Sequence, residues 1–358
     1  MMTHDAVYMA KALALAKKGR YTTDPNPRVG CVLVKANKII AEGWHQWAGQ
    51  GHAEIEALKK ATDVVGATAY VTLEPCSHYG KTPPCCEALI QAKVARVVVA
   101  MQDPNPLVAG KGLVKLQQAG IEVLSGVLEA DARLLNQGFI KRMTEGLPFI
   151  RSKLAMSLDG RTAMASGESK WITGDKARED VQRLRAKSSA ILTGINTVLA
   201  DNPRLNVRLE TEVLQPIRVV LDSQLQMPLN ARMLELEGRS LILTCSENAI
   251  KKRALEAVGF EVFVLPSKQG RLDLKAVFLL LASEQVNEVL VEAGAVLNGA
   301  LLESGLVDQW IIYMAPVILG DEGRGLFTVP SLRTMADKKR LTLQQTRQVG
   351  EDLRCVLV

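Results

Sequence analysis

The chain has 358 residues, 47% hydrophobic and 23% charged, with a net charge of +6. At roughly 150 residues per domain this length suggests two domains, and the composition excludes a disordered, collagenous or disulfide-knotted chain. The charge is too small and dispersed for a nucleic-acid surface, and 4% aromatics provide no base-stacking platform. Residues 5–18 carry Met9, Ala10, Leu13 and Ala14 at helical spacing, interrupted by Lys11, Lys17 and Lys18, which predicts a helix and no signal peptide. Val29–Val34 and Lys38–Gly43 are apolar runs joined by Lys-Ala-Asn, a hairpin-like connection. Glu54–Ala61 has helical periodicity, Thr68–Leu73 is strand-like and Cys86–Ala92 is helical. Ala95–Met101 is a buried-strand run, Val108–Ala119 a helix, Ile121–Ser125 a short strand and Asn136–Thr144 a helix.

A boundary is predicted at Gly146-Leu147-Pro148, giving domains 1–147 and 148–358. Beyond it strands are predicted at Phe149–Ala155, Ala190–Thr193, Arg218–Leu221, Ser240–Thr244, Glu261–Leu265, Glu288–Glu292 and Gln309–Met314. Helices are predicted at Lys176–Ala186, Leu274–Ser283 and Ala295–Ser304. Both halves alternate strand and helix, so the expected class is α/β, with a three-layer first domain. The longest apolar run, Ala276–Ala282, is far short of the ~20 residues that span a bilayer, and few cysteines fit a reducing compartment. The expectation is a soluble, cytoplasmic protein with neither membrane nor nucleic acid as a partner.

All four histidines (His4, His45, His52, His78) and four of the six cysteines (Cys31, Cys76, Cys85, Cys86) fall in the first 86 residues, which places any soft-metal chemistry there. The main signal is His52-Ala53-Glu54 followed by Pro75-Cys76 and Pro84-Cys85. One His and two Cys match a catalytic zinc site, which leaves its fourth position for water. Glu54, at the start of a predicted helix, can reach that water without ligating the metal. Both Pro–Cys junctions are expected to open helices, where backbone N–H groups favour thiolates. Cys86 rivals Cys85 as a ligand; adjacent helix residues point ~100° apart, so only one can face a metal. Cys31 is expected in the core.

The motif resembles the cytidine/deoxycytidylate deaminase superfamily, whose signature is H-x-E … P-C-x-x-C. The wider second spacing matches one branch, the bifunctional riboflavin-biosynthesis deaminase–reductases. The stretches that carry this are Thr23-Asp24-Pro25-Asn26-Pro27-Arg28-Val29-Gly30-Cys31, Gly51–Glu54, Val71–His78, Gly80–Cys86 and Asp103-Pro104-Asn105-Pro106. The resemblance implies a cytidine-deaminase-like domain with zinc on His52, Cys76 and Cys85 and Glu54 as the proton carrier. It favours Cys85 over Cys86. The implied reaction removes the 2-amino group of a diaminopyrimidinone bearing a ribosylamino 5′-phosphate. Asn26, His45, His78 and Lys81 are candidate substrate contacts, and His45 and Lys81 could neutralise its phosphate.

The second half lacks Gly-x-Gly-x-x-Gly and so has no Rossmann fingerprint. Gly294–Ala300 does form a strand-to-helix turn whose N–H groups could approach a phosphate. The same resemblance extends through Lys153–Ala163, Ser166–Thr173, Thr197–Leu205 and Leu221–Ser223. It implies a dihydrofolate-reductase-like α/β domain that reduces the ribosyl group to ribityl with NADPH. By the same route Ala155, Trp171, Thr197, Asp201, Ser223 and Gly294, Ala295, Val296, Leu297, Asn298, Gly299 and Ala300 are cofactor contacts. Ser169, Arg185, Leu205, Arg208 and Glu292 are substrate contacts, with Arg185 and Arg208 suited to a sugar phosphate. The expected partners are a small-molecule pyrimidine ribotide and further copies of the chain as a homo-oligomer. Two rival readings are a base deaminase acting on nucleic acid, and a structural zinc module with His78 as fourth ligand fused to a nucleotide-sensing domain.

Overall fold

A computed structural model describes residues 4–77, 83–106 and 108–358. The chain divides into two compact units, Met1–Gly146 and Leu147–Val358. In the first, α1 (His4–Ala16) ends in a 3-10 turn at Lys17–Gly19. β1 (Gly30–Lys35) and β2 (Lys38–Trp44) form an antiparallel hairpin whose central Ala36 and Asn37 have φ 49° and 60°, a turn that matches strand twist. Then follow α2 (Ala53–Leu58), β3 (Thr68–Val71), α3 (Cys85–Gln91), β4 (Arg96–Val99), α4 (Lys111–Gln118), β5 (Glu122–Ser125), α5 (Glu129–Leu135) and α6 (Gln137–Glu145). The sheet order is β2-β1-β3-β4-β5.

Strand alternation builds the three layers. Leu33, Val71, Val97 and Val99 face Ala57 of α2, Leu89 of α3 and Leu116 of α4. Val32, Val34, Tyr70 and Val98 face Met9 and Leu13 of α1 and Ala132 of α5. Both faces are therefore buried at the centre of the sheet, which explains the nearly continuous apolar runs of β1, β3 and β4. Gly43 lets α2 lie directly on β2: a Cβ there would meet the Ala53 carbonyl oxygen at 2.3 Å.

The expected Asn136–Thr144 helix is the second of two. Asn136 separates α5 from α6, exchanging hydrogen bonds with the Arg28 backbone at 2.8 and 2.9 Å. α4 begins at Lys111 and not at Val108, because Gly110 before it is left-handed at φ 79°.

The second unit runs through β6 (Phe149–Ser157), β7 (Arg161–Ala163), α7 (Asp175–Lys187), β8 (Ala190–Gly194), α8 (Ile195–Asp201), β9 (Ile217–Leu221), β10 (Ser240–Thr244), α9 (Ala249–Ala257) and β11 (Glu261–Val264). β12 (Ser267–Lys268), β13 (Arg271–Leu272), α10 (Leu274–Ser283), β14 (Glu288–Val291), α11 (Ala295–Ser304), β15 (Gln309–Ala315), β16 (Arg324–Gly325), β17 (Leu343–Val349) and β18 (Asp352–Leu357) complete it. Nine strands form one sheet, β11-β10-β9-β8-β14-β6-β15-β18-β17. It is parallel as far as β15, and β18 and β17 add antiparallel. Ile150, Leu192, Val219 and Leu243 pack on Phe278 and Leu281 of α10 and Leu301 of α11, and Ile191, Val220 and Ile242 pack on Leu255 of α9. The class is α/β in both units. No helix among the described residues is long and apolar enough to cross a membrane.

Candidate active sites

In the first unit, three segments bring one nitrogen and two sulfurs together. His52 is the extended residue before α2, Cys76 follows β3, and Cys85 is the first residue of α3. His52 Nδ1 lies 3.5 Å from Cys76 Sγ and 3.3 Å from Cys85 Sγ, and all three ligand atoms fall within 4.8 Å of one another. One imidazole nitrogen and two thiol sulfurs are the three-ligand donor set of a catalytic zinc site, so these residues fit that metal. Cys76 is the readier thiolate: the Cys85 thiol donates to it, which holds it at about 4 and pushes Cys85 up in turn. The Cys85 backbone N–H adds a bond of 3.2 Å to the same sulfur. Glu54, in the first turn of α2 and 3% exposed, is pushed up to about 7 by burial, so its carboxyl can hold or release a proton near neutrality. Cys86 points into the core with Cys31, Ala57 and Leu89, as the helical step requires.

Two expectations need correction. Pro84–Cys85 opens a helix, but Pro75–Cys76 does not; Cys76 lies in a non-helical segment. That segment is held by Glu74, whose buried carboxylate accepts backbone N–H bonds from Asp103 (3.0 Å), Gly110 (2.9 Å) and Gly112 (2.8 Å). Sequence reasoning missed Glu74, although it sits in a quoted stretch; its partners lie 29–38 residues away. His45 is also not a cation for phosphate. Its Nδ1–H donates to the Gly51 carbonyl (3.1 Å), its Nε2 then accepts from Asn26 Nδ2 (3.1 Å), and burial lowers its pKa. Asn26 and His45 thus form a neutral pair, its ring 5.6 Å from that of His52. His78 and Lys81 lie outside the described residues.

In the second unit a cleft of about 2150 Å³ lies at the ends of β6, β8, β9 and β14. Ala155, Trp171, Thr197, Asp201, Ser223, Gly294, Ala295, Val296, Leu297 and Ala300 all line it, as do Ser169, Arg185, Leu205, Arg208 and Glu292. Asn298 and Gly299 do not. Asn298 is fully buried, accepting from Ser152 Oγ (2.6 Å) and donating to the Ala293 carbonyl (2.8 Å). A Cβ on Gly299 would sit 1.9 Å from the Thr328 carbonyl oxygen. Both residues pack α11 onto its neighbours, while Ala295, Val296, Leu297 and Ala300 reach the cleft.

Charge in the cleft is organised around Glu292. Arg185 donates to it through Nε (2.6 Å) and Nη2 (2.9 Å) and uses Nη1 on the Asn206 carbonyl (2.9 Å). Three of its five N–H donors are therefore spent within the protein, and two remain. Arg208 is exposed and spends one amine on Asn206 Oδ1 (3.0 Å), so it is the guanidinium with more donors to spare. Burial works to raise Glu292, but Arg185, Lys153 and Arg208 outweigh it and hold the carboxyl below its usual range. Lys153, missed as a site residue, lines the same cleft, and burial pushes its amine down. α7, which carries Arg185, is anchored by Asp180; Tyr313 Oη (2.6 Å) and Arg347 (2.7 Å) both donate to it. Trp171 is 71% exposed, with the Arg178 guanidinium 4.8 Å over its ring, and Asp201 pairs with Lys170 at 2.9 Å. Asp222 Oδ2 accepts from the Met227 N–H, while its buried Oδ1 has no partner among the described residues. An orphaned acceptor lining the cleft beside Ser223 and an uncapped α11 N-terminus fit a dinucleotide.

Residues 148–355 match the family described as RibD C-terminal domain, and residues 2–101 match the cytidine and deoxycytidylate deaminase zinc-binding region. The riboflavin biosynthesis protein RibD of Escherichia coli is 51% identical, with 99% of each chain covered. The chain belongs to the RibD family. The RibD of Acinetobacter baumannii superposes with a TM-score of 0.93 at 47% identity, covering 99% of this chain and 98% of its own. A RibD-like deaminase/reductase from Thermotoga maritima gives 0.87 at 35% identity, with the same coverage. Membership makes the chain a deaminase and a reductase of riboflavin biosynthesis, using zinc in its first half and NADPH in its second. The deaminase zinc-binding match spans His52, Cys76 and Cys85, and the RibD C-terminal domain match spans every residue that lines the cleft.

Proposed function

We propose that domain 1–147 deaminates a 2,5-diamino-6-ribosylaminopyrimidinone 5′-phosphate and that domain 148–358 reduces the ribosyl group of the product to ribityl. The T. maritima relative is described as a diaminohydroxyphosphoribosylaminopyrimidine deaminase and 5-amino-6-(5-phosphoribosylamino)uracil reductase. The observation that carries the reading is that one chain holds both a His–Cys–Cys cluster with a buried glutamate and a separate cationic cleft.

Zinc on His52 Nδ1 and the two thiolates supplies Lewis acidity towards water. Glu54 takes a proton from the attacking water at its buried carboxylate and delivers it to the leaving amine, so the ring C–N bond is exchanged for C–O and ammonia departs. The Asn26–His45 pair presents neutral hydrogen-bonding groups to the pyrimidine. In the second domain NADPH supplies a hydride. Arg208 holds the 5′-phosphate, Ser169 and Leu205 bound the substrate, and Glu292 keeps Arg185 and Lys153 compensated. Lys153, its amine pushed down by burial, is the buried amine of that cleft able to give up a proton. Ala155, Trp171, Thr197, Asp201, Ser223 and the Gly294–Leu297 turn, with Ala300, form the dinucleotide side. The same reading makes the protein a cytoplasmic homo-oligomer, which size-exclusion chromatography with light scattering tests.

The test is incubation with the ribotide followed by mass analysis. Without NADPH the product should show one amine replaced by oxygen; with NADPH two further hydrogens should be added. An unchanged ribotide in both arms overturns the reading.

A further inference from the structure

We infer that Lys268 and Arg271 hold the 2′-phosphate of the dinucleotide and so set the preference of the reductase for the phosphorylated cofactor. The inference rests on the reading of the second unit as an NADPH reductase. β12 and β13 form a minimal hairpin in which Lys268 stands directly opposite Arg271. Its two central residues, Gln269 and Gly270, have φ 53° and 74°, the geometry of a tight two-residue turn. Like charges facing one another across a hairpin repel, which makes this an expensive pair to keep without an anion. Among the described residues neither cation has an acidic partner. The nearest acid in sequence, Asp273, caps α10 by accepting the Lys275 N–H at 2.9 Å.

The hairpin is part of the cleft wall and is tied to its dinucleotide side. The Leu272 N–H donates to Ser223 Oγ at 3.4 Å, and the Cys245 thiol donates to the Ser223 carbonyl at 3.4 Å. Ser223 follows the C-terminal end of β9, the edge at which parallel sheets bind ligands. The reaction brings two phosphate monoesters into one cleft, the 5′ group of the substrate and the 2′ group of the cofactor. Among the basic residues that line the cleft are two separate sets, one at Arg185 and Arg208 and one on the hairpin. Arg208 and Arg185 are joined through Asn206 and Glu292, whereas Lys268 and Arg271 stand on the separate β12–β13 hairpin. A dianion placed between Lys268 and Arg271 cancels their repulsion and gains charge-assisted bonds from both.

Dissociation constants for NADPH and NADH, read from nicotinamide fluorescence, test this on full-length wild type, Lys268→Ala/Arg271→Ala and Lys268→Arg. The double variant should weaken NADPH about tenfold or more while leaving NADH within roughly twofold, as expected for losing contacts to one charged group. Lys268→Arg should keep most of the NADPH affinity, and the Tm of the double variant should not fall, since repulsion is removed. The KM for the ribotide at saturating NADPH should not change. Equal loss for both dinucleotides, or no loss for either, overturns the proposal. A raised ribotide KM with unaltered NADPH binding also overturns it, because the hairpin would then serve the 5′-phosphate. Wild type that binds neither dinucleotide overturns the reductase reading itself, and the proposal with it.

Discussion

Arg185 and Glu292, 107 residues apart, close on one another through two parallel N–H···O bonds at the floor of the reductase cleft. Only 12% and 15% of these side chains is exposed, so neither charge can turn to water for compensation. Breaking one side of a buried pair costs about 3–5 kcal/mol, because the survivor stays buried and unpaired. Glu292→Gln should therefore lower the Tm of the second unit and abolish reduction, with zinc content and deamination retained in the same sample. Equal stability of the variant and wild type would contradict the arrangement.

The same carboxyl sets a pH dependence. Because Glu292 is held below its ordinary value, its stabilisation is complete above the unfolded carboxyl pKa and is lost as pH falls through the lowered folded value. Wild type should lose stability relative to Glu292→Gln as the solution is acidified from the unfolded carboxyl pKa down through the lowered folded value. Thermal melts of both proteins across an acid series measure the gap, which should narrow and not widen.

Glu54→Gln should keep the zinc and lose the chemistry. The amide preserves the shape of the buried side chain but cannot carry the proton, a loss on the order of 10²–10⁴ in deamination rate. Metal analysis paired with ammonia release decides it; a variant that deaminates near the wild-type rate would remove Glu54 from the mechanism.

Cys85→Ser and Cys86→Ser should separate cleanly. Cys85 faces His52, whereas Cys86 packs among Ala57, Val71 and Leu89, so only the first substitution should empty the metal site. The readout is zinc per chain after dialysis, and equal loss in the two variants would sink the ligand assignment.

Arg208→Ala should impair reduction of the phosphorylated substrate by roughly ten- to a hundredfold in kcat/KM, the scale of one lost charge-assisted bond. A phosphate remote from the reacting carbon fixes orientation as well as affinity, so kcat should fall along with capture. Dephosphorylated substrate supplies the control: if it suffers equally, Arg208 does not bind phosphate. Arg208→Lys should recover part of the loss, since an ammonium lacks the two-pronged fork.

Much of this architecture was legible where local chemistry and tertiary context agree. The helices α10 and α11 have the bounds that sequence assigns them, because Asp273 and Gly294 mark their starts and their faces are apolar. The metal cluster was legible because its residue types are rare and all fall in one short region. β17 and β18 were not legible: β17 reads Leu-Gln-Gln-Thr-Arg-Gln-Val and is exposed along nearly its whole length, so it shows no alternation to detect. Asn298 and Gly299 show a different limit. A turn motif treats seven residues alike, but helix periodicity sends these two into Ser152 and Thr328 while their neighbours face the cleft. The pairing of Arg185 with Glu292 was also beyond sequence, since its partner is 107 residues away.

The position of β6 carries a consequence for how the chain is made. β6 begins at Phe149, yet its hydrogen-bonded neighbours are Glu288–Val291 on one side and Gln309–Ala315 on the other. Every strand pairing of the first sheet, by contrast, lies between Gly30 and Ser125. On the ribosome the deaminase half can complete its sheet while β6 is only emerging, and β6 then waits unpaired, with Ile150 and Leu154 uncovered, for most of the remaining synthesis. A nascent chain stalled before residue 288 would hold a finished first sheet and an open seam in the second, and that interval is where holdase chaperones have a strand to protect.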